Sequence, residues 1–586
     1  MKKIGFITIL LSISLMATAL TGCGAKPEEP PIDKYLASDC STVVYYTKTE
    51  EGAFEASGVM ARGTAVSVKA EPIVLEEEEV TYYAYVVDEE TTYYFNDADL
   101  VDSKEACVKE TEKFVRTPAT TYVEKDAPDI AGFVKKGSHL SITGYDEIDE
   151  NGDISMYQVT DDAGNSGWVF SKYLADSQEG ADAVNSEYYE LNKDKIYDPE
   201  FDLYGGSPTK LDYYPYDKSF DTDNVMPEEC KTLYLNAGCI DYIDSYIDCA
   251  KEIGCNAFVI DIKDGNLAYH AEIAKEYSPT SYEDAFHDND QYKAAIDKAN
   301  AAGIWTIGRI VVFNDSQFAQ DNPEECIFNN GINQEWPSAY SRRAWEYNVK
   351  LALSAVEEMG FDEIEFDYVR FPENAYSLSS DGTADFKNTY DEEKSEAIQN
   401  FCFYATDQLH KAGAYFSVDV FGECSDGYVT AYGQYWPAIS NIVDAISSMP
   451  YIDHFGRDVY TWVDGYATVY NWAAKAAAAQ AITPTPAAPR TWLTCYAVPY
   501  WDPEIPVTGP FLQNQAQALW DAGVGSGGFI TWNAASNLDI YYNVGSAFSH
   551  TYSAEAVASD DVTDDAAEDE YYEEEEYYED EEYYED

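Results

Sequence analysis

The feature that most constrains the fold is an alternation of short apolar segments with longer helical segments between residues 229 and 552. Glycine follows several helical segments, as at Gly254, Gly303 and Gly360, where a left-handed helix cap is expected. Eight such repeats predict the α/β class and one (β/α)8 TIM-type barrel. An open doubly wound sheet is the alternative, but no GxGxxG motif follows the first strand and eight units favour closure. The predicted strands are Thr232–Ala237, Ala257–Ile262, Ile304–Val312, Glu363–Tyr368, Tyr415–Phe421, Asp444–Met449, Thr491–Tyr496 and Gly527–Trp532.

An internal repeat precedes this region. Gly58–Gly63 aligns with Gly132–Gly137, and the same offset aligns Leu100 with Leu174, which indicates a duplication. Each unit has short strand patterns separated by turn signals. The segment Gly167–Leu174 resembles the last strands of bacterial Src-homology-3-like barrels. We therefore predict two small all-β Src-homology-3-like domains, at 39–105 and 113–177, which either bind cell-wall peptides or glycans or act as spacers.

The N-terminus has the pattern of an exported lipoprotein. Lys2 and Lys3 precede an uncharged, mostly apolar segment of signal-peptide length. Leu20–Cys23 (LTGC) is similar to the bacterial lipobox, which implies cleavage after residue 22 and a lipid anchor on Cys23. We predict a signal peptide at 1–22, a tether at 23–38, and attachment through Cys23 to the outer face of the bacterial cytoplasmic membrane.

Charge and cysteine usage exclude some classes of partner. A formal net charge of −72 argues against nucleic acid. We predict an acidic linker at 178–228 and a disordered tail at 553–586, a segment rich in Tyr and acids without Lys or Arg. The 11 cysteines show no metal-binding spacing, so no metal or cofactor is predicted. Cys40 and Cys107 bracket the first small domain and are candidates for a disulfide, whereas those from Cys230 to Cys495 are expected mainly as small buried hydrophobes.

Several strands of the predicted barrel carry charged residues between apolar ones. Because strand side chains alternate, these charged residues are expected to point into the lumen. Their convergence near the carboxyl ends of the strands is typical of the active sites of barrel enzymes. A structural ion-pair layer that includes Lys263, Arg309 or Arg370 is the alternative, but packed barrel interiors favour branched aliphatic residues. The residues predicted to face inward are Asp261, Lys263, Glu365, Asp367, Ser417 and Asp419.

Converging carboxyl groups point to glycoside hydrolysis. One carboxyl protonates the leaving oxygen while the other attacks the sugar or activates water. Neighbouring acids also separate each other's pKa values, which keeps one protonated and one ionised. Aromatic side chains fit the faces of sugars, and the predicted loops supply Trp336, Tyr368, Tyr451, Tyr500, Trp501 and Trp532.

A family resemblance covers essentially the whole barrel. The motifs Asn256–Asp264 (NAFVIDIKD), Arg309–Phe313 (RIVVF), Gly360–Pro372 (GFDEIEFDYVRFP), Ser417–Gly422 (SVDVFG), Val443–Phe455 (VDAISSMPYIDHF) and Gly528–Asn533 (GFITWN) resemble the bacterial family called "putative glycosyl hydrolase". The resemblance implies hydrolysis of O-glycosyl bonds in peptidoglycan or another cell-wall or extracellular polysaccharide. The chain departs from the family pattern at Pro450, at Ile452–Asp453 and at Ala534–Ser536. Its fourth strand also echoes a chitinase motif, but Val369 replaces the acidic proton donor, so we reject a chitinase.

The predicted roles follow from these patterns. Asp367 is the first catalytic candidate, as nucleophile or general acid, and its partner is Glu423 or Asp419. The predicted substrate-binding residues are Asp261, Lys263, Arg309, Glu365, Arg370, Tyr451, His454, Trp532 and Asn533.

Two other functional classes stay open at this point. A non-catalytic carbohydrate- or wall-binding lipoprotein with a degenerate barrel would bind saccharides without turnover. A metal-dependent polysaccharide deacetylase is the third hypothesis, and the absence of an Asp/His/His constellation counts against it.

Overall fold

The computed structural model describes residues 29–76, 79–194, 204–455, 465–499 and 506–554. The predictions for the signal peptide, Cys23 and the tail beyond residue 554 lie outside these ranges, as do Tyr500 and Trp501. The described chain forms two compact units. The first contains the residues up to 111 together with 145–155, and the second contains 112–144 and the residues from 156 onward.

The first unit contains an antiparallel sheet in the order β3-β2-β7-β6-β4-β1-β8, with β5 paired to β6. Its core includes Leu36, Val43 and Phe95, which are all buried. Arg62 donates to both carboxylate oxygens of Glu110 at 2.7 Å, and both side chains are buried. The strands are β1 Ile32–Leu36, β2 Thr42–Lys48, β3 Phe54–Ala61, β4 Ala65–Val68, β5 Ile73–Leu75, β6 Val80–Val86, β7 Thr92–Asn96 and β8 Leu100–Val101.

The second unit begins with an antiparallel sheet in the order β11-β10-β14-β13-β12-β9-β15. Strand for strand this is the order of the first sheet, and a short 3-10 helix precedes the last strand of each. The aligned glycines Gly63 and Gly137 have the same left-handed backbone, with φ of 81° and 79°. The duplication is therefore confirmed, while the Src-homology-3-like identity stays a prediction. The strands are β9 Glu112–Val115, β10 Ala119–Tyr122, β11 Ile130–Val134, β12 His139–Tyr145, β13 Met156–Asp161, β14 Ser166–Phe170 and β15 Leu174–Ala175.

The large α/β region contains a nearly closed ring of nine parallel strand segments, in the order β25-β24-β23-β22-β19-β17-β16-β27-β26. The end segments β25 and β26 flank Arg490, whose N–H donates to Ile446 O at 2.9 Å. Taken together they occupy one position, so the ring has the eight positions that the sequence predicts. All eight predicted strands are present, with small shifts of their ends. The segments are β16 Cys230–Leu235, β17 Ala257–Asp264, β19 Trp305–Val311, β22 Glu363–Asp367, β23 Tyr415–Phe421, β24 Ala445–Met449, β25 Ala488–Pro489, β26 Thr491–Thr494 and β27 Gly528–Trp532.

Helices separate the barrel strands. As predicted, helices before strands end at glycines in the left-handed conformation, for example Gly254 with φ 88° and Gly360 with φ 86°. Three short strands lie in the loops: β18 Asn266–Leu267, and β20 Cys326–Asn329, which forms a hairpin with β21 Ile332–Pro337. The helices are α1 Gln178–Asn192, α2 Ile243–Ile253, α3 Ala274–Tyr277, α4 Pro279–Glu283, α5 Asn289–Ala301, α6 Ser316–Asp321, α7 Arg342–Ser354, α8 Ala375–Ser380, α9 Lys394–Lys411, α10 Trp436–Ser440, α11 Tyr466–Ile482, α12 Gly509–Asp521, α13 Leu538–Asn543 and α14 Gly545–Ser549.

The second small sheet packs against helix α9 of the barrel. The buried Asp407 carboxylate of α9 accepts hydrogen bonds from Tyr173 at 2.7 Å and from Tyr216 at 2.8 Å, and Lys172 pairs with it at 2.6 Å. On the same helix Tyr404 stacks on Tyr122 at 6.1 Å. The predicted linker takes part in this packing, because Tyr216 belongs to it. The second sheet and the barrel are thus joined through buried side chains of α9.

The cysteines of the described residues are all free thiols. Cys40 and Cys107 are separate free thiols, so the possible disulfide is not formed. The eight cysteines from Cys230 to Cys495 are free and buried, as expected.

None of the helices in the described ranges combines the length and apolar character needed to cross a membrane.

Candidate active site

Strand β22 places three buried acids, Glu363, Glu365 and Asp367, at alternate positions. Alternate positions share a face of a strand. That face is the lumen, since Glu365 accepts a hydrogen bond from Ser447 on β24, two strands away in the ring, at 2.9 Å. The predicted inward orientation of Glu365 and Asp367 is confirmed, and the three acids belong to three successive layers of polar side chains.

The upper layer is organised by the guanidinium of Arg309 on β19. It donates two hydrogen bonds to Asp367 Oδ2, at 2.6 and 3.2 Å, and one to Asp261 Oδ1 at 2.8 Å. Asp264 accepts a further bond at 3.1 Å and has a side chain 47 % exposed, whereas the other members are buried. Tyr234 donates to Asp261 Oδ2 at 2.5 Å. Three carboxyl groups therefore share one cation.

Burial governs the ionisation of Asp261, whereas Asp367 is defined by its hydrogen bonds. It raises the pKa of Asp261 to about 6, although the neighbouring Arg309 acts in the opposite direction. Asp367 has three N–H donors on its two oxygens, because the Tyr368 N–H donates to Oδ1 at 2.6 Å in addition to the two Arg309 bonds. These are the contacts of an acceptor carboxylate.

Backbone strain accompanies Asp367. The next residue, Tyr368, has φ of 54°, a left-handed conformation that non-glycine residues rarely adopt. This turn directs the Tyr368 N–H back onto the Asp367 carboxylate. Such strain persists only where the surroundings enforce it, and it concentrates at functional sites.

The middle layer pairs Glu365 with Asp419 of β23, and both are fully buried. Asp419 Oδ1 accepts from Trp492 Nε1 at 2.6 Å, and the inward position predicted for Asp419 is confirmed. Burial raises the pKa of Glu365 to about 7, and the charge of Glu363 acts in the same direction. Burial also raises the pKa of Asp419 well above its usual value, and the charge of Glu365 adds to that shift. Asp419 also faces the charge of Asp367.

The lower layer is an ion pair that the sequence reasoning missed. Glu363 Oε1 accepts from Arg490 at 2.7 Å and Oε2 accepts from Trp305 Nε1 at 2.8 Å. Both charged side chains are almost completely buried. The alternation that marked Glu365 and Asp367 also includes Glu363, so this signal was present in the sequence. No such alternation marked Arg490, because this residue lies between the two short strand segments β25 and β26.

Aromatic rings surround the upper layer. Tyr234 and Trp532 lie 4.6 Å apart between ring centres, and the Arg309 guanidinium lies 5.6 Å from the Trp532 ring. Tyr451 packs at 6.3 Å from Trp532, and the charges of Asp367 and Asp419 both act on its hydroxyl. Trp532 and Tyr451 therefore lie beside the upper layer, and their contact with sugar stays a prediction.

Glu423 lies on the loop after β23, and Arg370 lies on the loop after β22. The half-buried Glu423 accepts from Tyr428 at 2.6 Å and from Tyr432 at 2.7 Å, one hydroxyl on each oxygen. Arg370 donates to Glu373 at 2.9 Å and lies 4.2 Å from the Phe421 ring. Arg370 does not contact Asp367 or Asp419 in the hydrogen bonds of the described residues, so the carboxylate it holds is an exposed one.

Lys263 points away from the lumen, and the predicted inward orientation is wrong. The pairing of β17 with β19 shifts by one residue between Asp261 and Lys263. This bulge reverses the alternation and turns the side chain to the helix layer. There the ammonium bonds to Asp315 at 2.6 Å and to Asn348 of α7 at 2.8 Å.

The remaining predicted residues lie at the carboxyl ends of β24 and β27. His454 is exposed and packs edge-on against Tyr451 at 5.2 Å. Asn533 is buried, and its Nδ2 has no hydrogen-bond partner among the described residues. In those same ranges no group of three or more His, Cys, Asp and Glu side chains is placed to hold a metal ion.

Comparison with known proteins gives one family match. The profile of a family described as "putative glycosyl hydrolase domain" matches residues 233–538, which includes all the lumen residues described above. No curated protein matches the sequence.

Several solved structures show limited likeness. A hypothetical protein from Ruminiclostridium thermocellum ATCC 27405 is 28 % identical, with 32 % of this chain and 97 % of that chain covered and a TM-score of 0.27. The PgaB (BpsB) glycoside hydrolase domain from Bordetella bronchiseptica is 12 % identical, with 54 % and 99 % covered and a TM-score of 0.38. The spore cortex-lytic enzyme SleL from Bacillus cereus is 11 % identical, with 56 % and 75 % covered and a TM-score of 0.35.

Proposed function

The chain belongs to the family of this glycosyl hydrolase domain, and on that basis we propose that its barrel hydrolyses O-glycosyl bonds in a cell-wall or extracellular polysaccharide. The lumen geometry supports this assignment. Two carboxyl groups of adjacent strands, Asp367 and Asp419, lie in different environments: Asp367 accepts three N–H hydrogen bonds, whereas burial raises the pKa of Asp419 well above its usual value. Such a divided pair is what acid-and-carboxylate hydrolysis of a glycoside requires.

The roles follow from the contacts of each group. Asp367, with Arg309 and a backbone N–H on its oxygens, acts as the carboxylate that attacks the sugar or activates water. Asp419, buried beside Glu365, is the protonated partner. Glu423 is the alternative partner, because it is more accessible and its two tyrosine contacts fix its orientation. Trp532 and Tyr451 hold the sugar rings.

The other parts of the proposal concern location. We infer that Cys23 carries the lipid anchor and that the two duplicated sheets are Src-homology-3-like. The packing of the second sheet on α9 supports a spacer or scaffold role for that copy. Replacement of Cys23 by Ala is expected to release the protein from the membrane fraction into the medium. Retention of the variant in the membrane fraction would contradict the anchor.

The decisive experiment measures reducing ends released from a glycan panel by the full-length protein. Wild type is expected to turn over one panel class, and Asp367→Asn and Asp419→Asn to lose at least about a hundredfold in rate. Asp297→Asn, at an exposed acid on the outer helix α5, is the matched control and should match wild type. A large loss in Glu423→Gln with none in Asp419→Asn would transfer the proton-donor role to Glu423.

A second candidate is a carbohydrate-binding barrel without catalysis. The observation that favours it is burial, since Asp367 is 4 % exposed and Asp419 is 0 % exposed. A glycan reaches these atoms only if the loops above them move. Saccharide binding by wild type without release of reducing ends would support this candidate over the hydrolase.

A further inference from the structure

The middle layer of the lumen contains two carboxyl oxygens that lack a donor. Glu365 uses Oε1 to accept from Ser447 at 2.9 Å, and Asp419 uses Oδ1 to accept from Trp492 at 2.6 Å. The second oxygens, Glu365 Oε2 and Asp419 Oδ2, are buried and receive no hydrogen bond from an N–H or hydroxyl group of the described residues. Buried acceptors are normally satisfied, so these two require an explanation.

The two carboxyl groups are neighbours in the lumen. They lie on the adjacent strands β22 and β23, and the charge of Glu365 acts directly on Asp419. Ionised carboxylates only accept hydrogen bonds, so one carboxyl group can satisfy an oxygen of the other only when one of the two carries a proton. Two adjacent buried carboxylates with no proton would also repel strongly, as in paired-carboxyl active sites. One shared proton satisfies both unpartnered oxygens at once.

The surrounding cations are committed elsewhere. Glu363 and Arg490 face the pair from below, and Arg490 forms its 2.7 Å hydrogen bond to Glu363. Asp367 and Arg309 face it from above, and Arg309 is shared among the carboxyl groups of the upper layer. Tyr451 also faces Asp419 and supplies no charge of its own. No neighbouring cation is therefore left to balance a second charge on the pair, and burial raises the pKa of Glu365 to about 7.

We propose that Glu365 and Asp419 hold a single proton between them at neutral pH, and that Glu365 is the positioning residue that keeps Asp419 protonated. The use of this proton rests on the proposed function. When the glycosidic C–O bond breaks, its electron pair goes to the leaving oxygen, which takes the proton from Asp419. Water adds its hydroxyl to the sugar carbon, and the proton that water releases restores the pair. Glu365 is thereby assigned to proton control, and not to substrate contact as its position in the motif suggested.

Infrared difference spectroscopy of the full-length protein at pH 7 tests the shared proton without reference to activity. In Glu365→Gln the new amide donates an N–H to Asp419, so the proton is no longer needed and a protonated-carboxyl band present in wild type should disappear. Asp419→Asn should lose the same band by the same reasoning. Ser447→Ala, the matched control, removes only the donor to Glu365 Oε1 and should keep the band at a shifted frequency. A wild-type spectrum identical to that of Glu365→Gln would overturn the proposal.

The pH dependence of turnover tests the use of the proton. Glu365→Gln should move the alkaline limb of kcat/KM to lower pH by about one unit or more, because Asp419 loses the partner that favours its protonated form. Ser447→Ala should leave that limb in place. A uniform loss of rate in Glu365→Gln with an unmoved limb would reduce Glu365 to a packing residue. Loss of the infrared band in both carboxyl variants, with no turnover by wild type, would keep the shared proton and refute the hydrolase.

Discussion

Two ion-pair layers of the lumen contain the same residue types but differ in charge balance and in exposure to solvent. At the amino end of the strands, Glu363 and Arg490 pair one to one, with side chains 0 % and 1 % exposed. At the carboxyl end, Arg309 is shared by Asp261, Asp367 and Asp264, the last of which is 47 % exposed. The lower layer is neutral and sealed, whereas the upper layer has excess negative charge and reaches solvent.

This difference separates scaffold from site. A buried pair in charge balance resists change, because loss of either partner leaves an uncompensated charge. A layer with more carboxyl groups than cations keeps some of them available to stabilise a positive transition state such as that of glycoside cleavage. In barrel enzymes the carboxyl end is also where loops bring substrate. Charge balance and access therefore distinguish the two layers, although their residues look alike in sequence.

The largest effect is expected at the scaffold layer. Glu363→Gln leaves Arg490 buried without its counter-charge and should reduce the free energy of unfolding by about 3–5 kcal/mol. Urea denaturation monitored by circular dichroism measures the change. Activity per folded molecule should stay at the wild-type level, and a specific loss of activity in the folded fraction would remove the distinction between the layers.

The matched substitution in the upper layer should show the reverse pattern. Asp367→Asn leaves Arg309 bonded to Asp261 and Asp264, so the free energy of unfolding should change by only about 1 kcal/mol. The rate should fall at least about a hundredfold, which corresponds to roughly 2.7 kcal/mol in the barrier. Parallel urea titrations and rate assays on the two variants decide the comparison. Equal losses of stability in both would mean that the two layers are equally structural.

The next effect is a pH dependence that arises from Asp261. Burial raises its pKa from the ordinary value of 3.8 to about 6, so the folded state binds more protons between these values. Its contribution to stability is complete below the lower value and is lost as pH rises through about 6. Asp261→Asn should lack this loss and gain roughly 2 kcal/mol relative to wild type between pH 4 and pH 8. Urea unfolding at several pH values measures the difference, and a pH-independent difference would contradict the assignment.

The smallest effect is expected at the exposed edge of the upper layer. Asp264→Asn removes a partly solvated bond to Arg309, so stability should change by less than about 1 kcal/mol. The change should also shrink at high salt, because exposed charges are screened. Unfolding measured at low and high ionic strength tests this, and a change of several kcal/mol would place Asp264 among the buried scaffold charges.

The barrel was predictable because its signals are local. Eight apolar segments, the glycine caps and the alternation of strand four are all written in short stretches of sequence, and the strands occur where they were expected. The same alternation correctly placed Glu365, Asp367 and Asp419 in the lumen. It failed at Lys263, because a bulge in the pairing with β19 turns the Lys263 side chain from the lumen to the helix layer. Bulges depend on the partner strand, so a single strand does not reveal them.

The sequence by itself thus determined the duplication, the α/β ring, the family and the set of acids that line the lumen. Only the tertiary structure decided which acid pairs with which cation. Arg309 joins residues of three strands, Arg490 lies against Glu363, and Glu365 meets Asp419 far from it in sequence. These choices depend on burial and on distances between strands, because a carboxyl group's charge state is set by the dielectric and the neighbours that folding provides.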